Sequence, residues 1–186
     1  MIIAQHKRKE NIAEYLLYMW QIEDIIRANK LDIELLEQNL ISHYDVDENV
    51  RNEIKEWFES LIKMMELENV RKNGHLQINK NVIIRLADLH QELLKSPKFP
   101  EYGAEFYKTL PYIVELRSKA GENKAGELET CFNALYGTLI LRLQGKTVSD
   151  ETMQAIKQIS HFLSVLSALY KKNEEHPIFD DNDDII

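Results

Sequence analysis

Apolar residues recur at steps of three and four along nearly the whole chain, which is the spacing of the buried face of an α-helix. The first stripe of this kind consists of Ile12, Leu16, Met19, Ile22 and Ile26. Six more helical patterns follow, at about 32–42, 45–73, 79–95, 102–119, 122–143 and 149–172. The sequence therefore predicts an all-α fold, a single-domain irregular bundle of six or seven helices. Because the pattern at 122–143 is apolar on more than one side, we expect that helix near the centre of the bundle.

Polar residues at the predicted helix starts indicate how two of these helices are capped. Asp45, with Glu48 three positions later, has the spacing of a capping box at the start of the third helix. Ser149, followed by Asp150 and Glu151, places a side-chain acceptor and negative charge at the positive end of the last helix.

Two segments interrupt the helical pattern. Residues 96–103, SPKFPEYG, contain two of the four prolines, and proline lacks the amide donor that a continuing helix needs. We therefore expect a domain over residues 1–172 with a subdomain break near 96–103. The remaining residues, 173–186, include six acidic and no Lys or Arg residues, which predicts an acidic, disordered tail.

Most of the net negative charge of the chain lies in the predicted tail. The 23 Lys and Arg against 31 Asp and Glu give a formal charge of −8. Six of the acidic residues lie in 173–186, so residues 1–172 carry only −2. The only run of three basic residues is Lys7–Lys9, and Glu10 follows it directly. Without a clustered basic face, the sequence argues against nucleic acid as a partner.

The apolar stretches are too short for a membrane protein. The longest stretches without charged side chains are 131–141 and 158–170, whereas a spanning helix needs roughly 20 apolar residues. The first thirteen residues contain no apolar region of signal-peptide length. We therefore expect a cytoplasmic protein with no membrane partner.

Familiar motifs for metal and cofactor chemistry are missing from the sequence. None of the six histidines lies three residues after a glutamate, as a di-iron bundle would require. HExxH, CxxC, P-loop and EF-hand spacings are also absent. Cys131 is the single cysteine and lies among apolar residues, which is typical of a packed thiol. We expect no metal site and no cofactor.

Four polar residues on two neighbouring helices form the candidate site. Tyr112 and Glu115 share a face of helix 102–119, and Asn133 and Tyr136 lie on helix 122–143. If these faces meet, they form a semi-buried cluster, which is either a hydrogen-bonded core network or a small-molecule pocket. We also expect the adjacent Gly137 at a close helix crossing, because glycine inside a helix costs about 1 kcal/mol and needs a packing reason.

Arg85 and His90 form an Arg-x4-His pair, which resembles the spacing used by HEPN-type helical ribonucleases. In such a pair the histidine can transfer a proton and the arginine can bind phosphate charge. Leu86 stands where that family has a polar residue.

Three segments together resemble a known family. They are KENIAEYLLYMWQIEDIIRAN at 9–29, GHLQINKNV at 74–82, and the long segment at 96–143 that begins SPKFPEYGAEFYKTLPYIVELRS. They are similar to a bacterial family of uncharacterised proteins, domain of unknown function 4924. The resemblance implies an intracellular all-helical domain, and it implies no activity, substrate or catalytic residue.

Three functional hypotheses remain open at this point. The favoured one is a non-catalytic intracellular binding or interaction module, with a protein partner or self-association through an apolar face of the first or third helix. The alternative is a small-molecule or nucleotide-processing enzyme with a pocket between helices 102–119 and 122–143. The weaker alternative is a HEPN-like ribonuclease.

Overall fold

A computed structural model describes residues 2–120 and 125–179. In this part of the chain the secondary structure is all helical, with eight α-helices and one 3₁₀ turn at Ile41–His43. The helices are α1 (Ile2–Glu10), α2 (Ile12–Ala28), α3 (Ile33–Asn39), α4 (Glu48–Leu67), α5 (Gln77–Lys95), α6 (Pro100–Lys119), α7 (Glu127–Leu143) and α8 (Asp150–Glu175). The all-α prediction is confirmed, and the predicted number of six or seven helices is too low.

The additional helix is α1, which the sequence did not predict. It ends at Glu10, and the side-chain oxygen of Asn11 accepts a hydrogen bond of 3.0 Å from the Ala13 amide at the start of α2. Asn11 therefore separates two helices where the apolar pattern suggested a single start. The basic run Lys7–Lys9 occupies the last turn of α1, where positive charge is favourable to the helix dipole.

The described residues form two compact units. The first comprises Met1–Lys9 and Glu14–Val82, and the second comprises Glu10–Ala13 and Ile83–Ile186, each taken over its described residues. The division falls inside α5, and the segment 96–103, where the sequence predicts a break, lies within the second unit.

The first unit contains most of α2 together with α3, α4 and the start of α5. Its largest side chains with almost no solvent exposure include Leu16, Trp20, Leu36, Phe58 and Met65. The cap of α4 is Asp47, whose Oδ1 accepts the Val50 amide at 2.9 Å. The predicted cap at Asp45 is therefore wrong by two residues.

The second unit is built on α6, α7 and α8, which all pack against one another, together with the remainder of α5. Aromatic rings fill its centre, and Phe106 and Phe162 lie 5.7 Å apart between ring centroids. The Ser149 cap of α8 is confirmed, because its Oγ accepts the Thr152 amide at 3.3 Å. Every helix in the described residues is too short or too polar to span a bilayer.

α8 continues past the predicted start of the tail. The helix ends at Glu175 rather than at 172, and Ile178 and Phe179 are half-buried. The predicted disorder of residues 180–186 concerns a segment that lies outside the described residues.

Candidate functional site

The four residues of the predicted cluster do not share a buried environment. Asn133 and Glu115 are exposed, whereas Tyr112 and Tyr136 are half-buried. The Glu115 carboxylate accepts a hydrogen bond of 2.5 Å from Lys119, one turn further along α6. The structure thus gives Glu115 an ion pair on the surface, where solvent screens the attraction.

Gly137 does not lie at a close helix crossing. It is exposed, and a Cβ atom added to it would meet no heavy atom within 4 Å beyond its own helix. The predicted packing role of this glycine is therefore wrong. Cys131, by contrast, is fully buried as predicted, and burial, assisted by the charge of Glu127, raises its pKa to about 12.

The Arg85 and His90 pair does not form a shared surface. Arg85 is exposed, but His90 is only 2 % exposed and packs against the rings of Phe106 and Phe162. A ribonuclease mechanism needs both side chains to reach the same phosphate. The burial of His90 removes the geometric condition for that hypothesis.

His90 instead belongs to a buried polar cluster of the second unit. Its Nδ1 lies 2.5 Å from the hydroxyl oxygen of Tyr102, and its Nε2 lies 3.8 Å from Oε2 of Glu127. Because an ionised carboxylate only accepts, the arrangement that suits all three groups has the Tyr102 hydroxyl donating to Nδ1 and the Nε2–H facing Glu127.

The environment of this cluster favours neutral rings. Burial lowers the pKa of His90, and the Glu127 carboxylate offsets part of that decrease. Burial also raises the pKa of Tyr102 far above its ordinary value. A neutral imidazole and a neutral phenol form a stable hydrogen bond, but such a phenol is a poor nucleophile. The cluster therefore supports packing more readily than catalysis.

A second buried polar cluster, in the first unit, surrounds the carboxylate of Glu23, whose side chain is fully buried. Oε1 accepts the Leu76 amide at 2.9 Å and Nδ2 of Asn79 at 2.7 Å, and Oε2 lies 2.6 Å from Nδ1 of His75. The guanidinium of Arg27 lies 3.9 Å from the same carboxylate. These contacts attach α2 to the residues just before α5 and to the first turn of α5, and they satisfy the buried charge.

His75 also stacks on Trp20, with ring centroids 4.0 Å apart and an interplanar angle of 11°. The position of Glu23 in the sequence already indicates such a cluster. Glu23 lies four residues after Met19 and three before Ile26 in the buried stripe of α2, so a carboxylate occupies a core position. A charge at such a position requires partners, and the chain supplies them from residues 75–79.

An open cleft lies between the N-terminal half of α6 and the C-terminal half of α8, within the second unit, and we call it the α6/α8 cleft. Its volume is about 590 Å³, within the range of small-molecule sites. Its lining residues are Lys98, Phe99, Pro100, Glu101, Tyr102, Glu105, His161, Val165, Ala168, Leu169 and Lys172. This site was not predicted from the sequence, because its residues come from two segments more than fifty positions apart.

The cleft has an apolar wall and a charged edge. Phe99, Val165 and Leu169 are half-buried and form the wall, whereas Lys98 and Lys172 are exposed. Among the described residues, no three His, Cys, Asp or Glu side chains are grouped so as to hold a metal ion.

Glu105 lines the same cleft, and its carboxylate interacts with three other side chains. Its carboxylate accepts Nε2 of Gln158 at 2.6 Å and lies 3.4 Å from Nζ of Lys108 and 3.7 Å from Nε2 of His161. These donors and charges compensate its negative charge, and Glu101 is the other acidic residue of the lining. Lys98 and Lys172 are the two lysines of the lining.

The helices, the two buried polar clusters and the open cleft define an all-helical protein with a concave surface in its second unit. The chain belongs to the family described as domain of unknown function DUF4924, whose model matches residues 1–176. No curated protein and no solved structure matches the chain. The family assignment confirms the resemblance of the three sequence segments.

Proposed function

We propose that this protein is a non-catalytic binding module and that its ligand site is the α6/α8 cleft. The observation that carries the proposal is the cleft itself, an open concavity of about 590 Å³ whose wall is apolar and whose edge carries two lysines. Such a surface suits a molecule with an apolar chain or ring and one acidic group, because the wall removes apolar area from water while a lysine compensates the acid.

The ligand site differs from the one the sequence predicts. Tyr112, Glu115, Asn133 and Tyr136 do not line the α6/α8 cleft, and Asn133 and Glu115 are exposed. An enzyme that uses those four residues stays a prediction, as does a cytoplasmic location for the binding module.

Self-association through an apolar face of the first or third predicted helix also stays a prediction. The apolar stripe of the first predicted helix, now α2, is buried: Leu16 and Ile26 are 0 % exposed. The core face of the third predicted helix, now α4, is buried as well through Phe58 and Met65. In the described residues, α6 carries two exposed apolar side chains, Tyr107 at 66 % and Val114 at 57 %.

The binding proposal predicts a charge preference that an NMR titration can measure. Octanoate should shift the amide signals of Val165 and Leu169, whereas octylammonium, with the same chain and the opposite charge, should bind at least tenfold more weakly. The substitution Leu169→Glu should raise the Kd for octanoate at least tenfold, because it places a charge in the apolar wall.

The matched control for that experiment is Val114→Glu, which introduces the same charge at an exposed position on α6 away from the cleft lining. It should leave the affinity for octanoate within twofold of the native value. Equal binding of the two octyl probes, or an unchanged Kd in Leu169→Glu, would rule out the proposed site.

A further inference from the structure

A second concave surface lies in the first unit, between α1, the loop after the 3₁₀ turn and the N-terminal half of α4, and we call it the α1/α4 pocket. Its volume is about 330 Å³, at the lower end of the range of small-molecule sites. Its lining residues are Ile3, Gln5, Tyr44, Val46, Val50, Glu53 and Ile54. All seven belong to the first unit, so the pocket is separate from the α6/α8 cleft.

Aliphatic side chains form most of this lining. Val50 and Ile54 lie four positions apart on one face of α4, and Val46 in the loop is half-buried. Ile3 on α1 leaves 47 % of its surface exposed. An apolar chain or ring that enters the pocket therefore removes apolar area from water on both sides of the contact.

The loop that forms one side of the pocket is held in place by hydrogen bonds. The Val46 amide donates to the Tyr44 carbonyl oxygen at 3.0 Å. Nη2 of Arg51 donates to the carbonyl oxygens of Tyr44 and Val46 at 3.3 Å and 3.4 Å. A ligand therefore meets a wall that is already ordered, which lowers the entropic cost of binding.

Glu53 is the only charged residue of the lining, and its carboxylate is exposed. Within the part of the chain that the structure describes, this carboxylate forms no ion pair. The two basic residues nearest in sequence interact elsewhere, because Arg51 binds the loop carbonyls and Lys55 lies 3.5 Å from Glu34 and 3.7 Å from Glu37. The pocket thus presents a negative charge that its neighbours leave uncompensated.

The polar groups of the lining can all accept hydrogen bonds. Burial raises the pKa of Tyr44, so its phenol stays neutral and its oxygen is an acceptor, like the side-chain oxygens of Gln5 and Glu53. A primary ammonium group has three N–H donors and no acceptor. It is therefore the polar group that matches this set of oxygens in both charge and hydrogen bonding.

We infer that the α1/α4 pocket binds a small apolar amine in its ammonium form. The aliphatic side chains contact the hydrocarbon part of the ligand, and Glu53 compensates the positive charge. A carboxylic acid of the same size is repelled by Glu53, so the preference is opposite to the one proposed for the α6/α8 cleft. The inference does not depend on the function of that cleft.

The charge preference is tested by NMR titration of the full chain with octylammonium and octanoate at low ionic strength, where a surface charge is least screened. Octylammonium should shift the amide signals of Val46 and Val50. Octanoate should bind at these two residues roughly tenfold more weakly, because the same carboxylate attracts one probe and repels the other.

Substitutions at Glu53 test its role directly. Glu53→Gln should raise the Kd for octylammonium roughly fivefold, at the upper end of the range for exposed ion pairs. Glu53→Lys should reverse the preference, so that octanoate binds more tightly there than octylammonium. The matched control is Glu59→Gln, which removes the same charge from an exposed position of α4 outside the lining and should change the Kd by less than twofold.

Each other outcome overturns the inference in a recognisable way. Equal affinity of the two probes at Val46 and Val50, or equal Kd values in Glu53→Gln and Glu59→Gln, would mean that the pocket accepts apolar chains regardless of charge. Movement of these signals with protein concentration alone would assign the pocket to a second copy of the chain. Shifts confined to Val165 and Leu169 would remove this site and leave the α6/α8 cleft as the ligand site.

Discussion

Replacing Glu23 by alanine should lower the free energy of unfolding of the first unit by about 3–5 kcal/mol, the cost typical of breaking a buried, paired charge. The carboxylate is the shared acceptor for the Leu76 amide, Asn79 and His75. Its removal leaves the buried Leu76 amide and the buried Asn79 side chain without this acceptor, and each such group costs about 1–3 kcal/mol. Urea denaturation followed by tryptophan fluorescence measures this effect, because both tryptophans, Trp20 and Trp57, lie in the first unit.

Two further variants make the Glu23 experiment interpretable. Glu23→Gln keeps the shape and one acceptor oxygen of the side chain but places an NH₂ donor against one of the three partners. The resulting decrease in the free energy of unfolding should be smaller than for Glu23→Ala and still exceed about 1 kcal/mol. Asp24→Ala removes the neighbouring carboxylate, which is 47 % exposed and pairs with Arg27, and should cost less than about 1 kcal/mol. A Glu23→Ala chain that matches the Asp24→Ala chain in stability would contradict the role assigned to the cluster.

Replacing His90 by alanine should cost the second unit about 3 kcal/mol, from a cavity beside buried aromatic rings and the loss of a partner for the Tyr102 hydroxyl. His90 is 2 % exposed and contacts Phe106 and Phe162. Far-UV circular dichroism during urea denaturation reports the loss. The control is His161→Ala, whose side chain is 64 % exposed and whose removal should cost less than about 0.5 kcal/mol. Similar losses in both variants would exclude a special role for His90.

The same histidine predicts a dependence of stability on pH. Burial lowers the pKa of His90 in the folded chain, while the unfolded chain has the ordinary value of about 6.5. Below that pH the unfolded state binds a proton that the folded state resists, so stability is complete above about pH 6.5 and declines as the pH falls.

This pH effect is isolated by comparison with a variant that cannot titrate. In His90→Gln the amide oxygen can still accept the Tyr102 hydroxyl, so the variant is expected to fold. The decrease in unfolding free energy between pH 7.5 and 5.5 should be larger in the native chain than in His90→Gln. Equal decreases would show that other groups account for the whole dependence.

The spacing of apolar residues and the capping residues predicted most helices. The prediction was wrong where two neighbouring residues could both cap the same helix. The Ser149 cap of α8 was predictable, because the serine directly precedes two acidic residues and a strong helical pattern. At the start of α4 either of two aspartates could cap the helix, and the Val50 amide donates its hydrogen bond to Asp47 rather than to Asp45. α1 was missed because its nine residues contain few apolar positions, so periodicity gave little signal.

The candidate sites depended on contacts that the sequence does not encode locally. The predicted cluster required the faces of Glu115 and Asn133 to meet in a semi-buried environment, and the structure exposes both. His90 was noticed for its distance from Arg85 along the chain, but its environment is set by Tyr102 and Glu127, which lie on other helices. The spacing of residues along one helix shows which of them share a face. It does not show which other helix packs against that face.

The sequence by itself determined the all-α class, the family and the approximate positions of seven of the eight helices in the described residues, because helical periodicity and caps are properties of neighbouring residues. Only the tertiary structure decided that Glu23 is buried with His75 and Asn79, and that residues 98–105 and 161–172 enclose a cleft. Both arrangements join segments some fifty or more positions apart, and their geometry follows from the packing of whole helices. The packing of the helices therefore determines both which charge is buried and where a cleft forms.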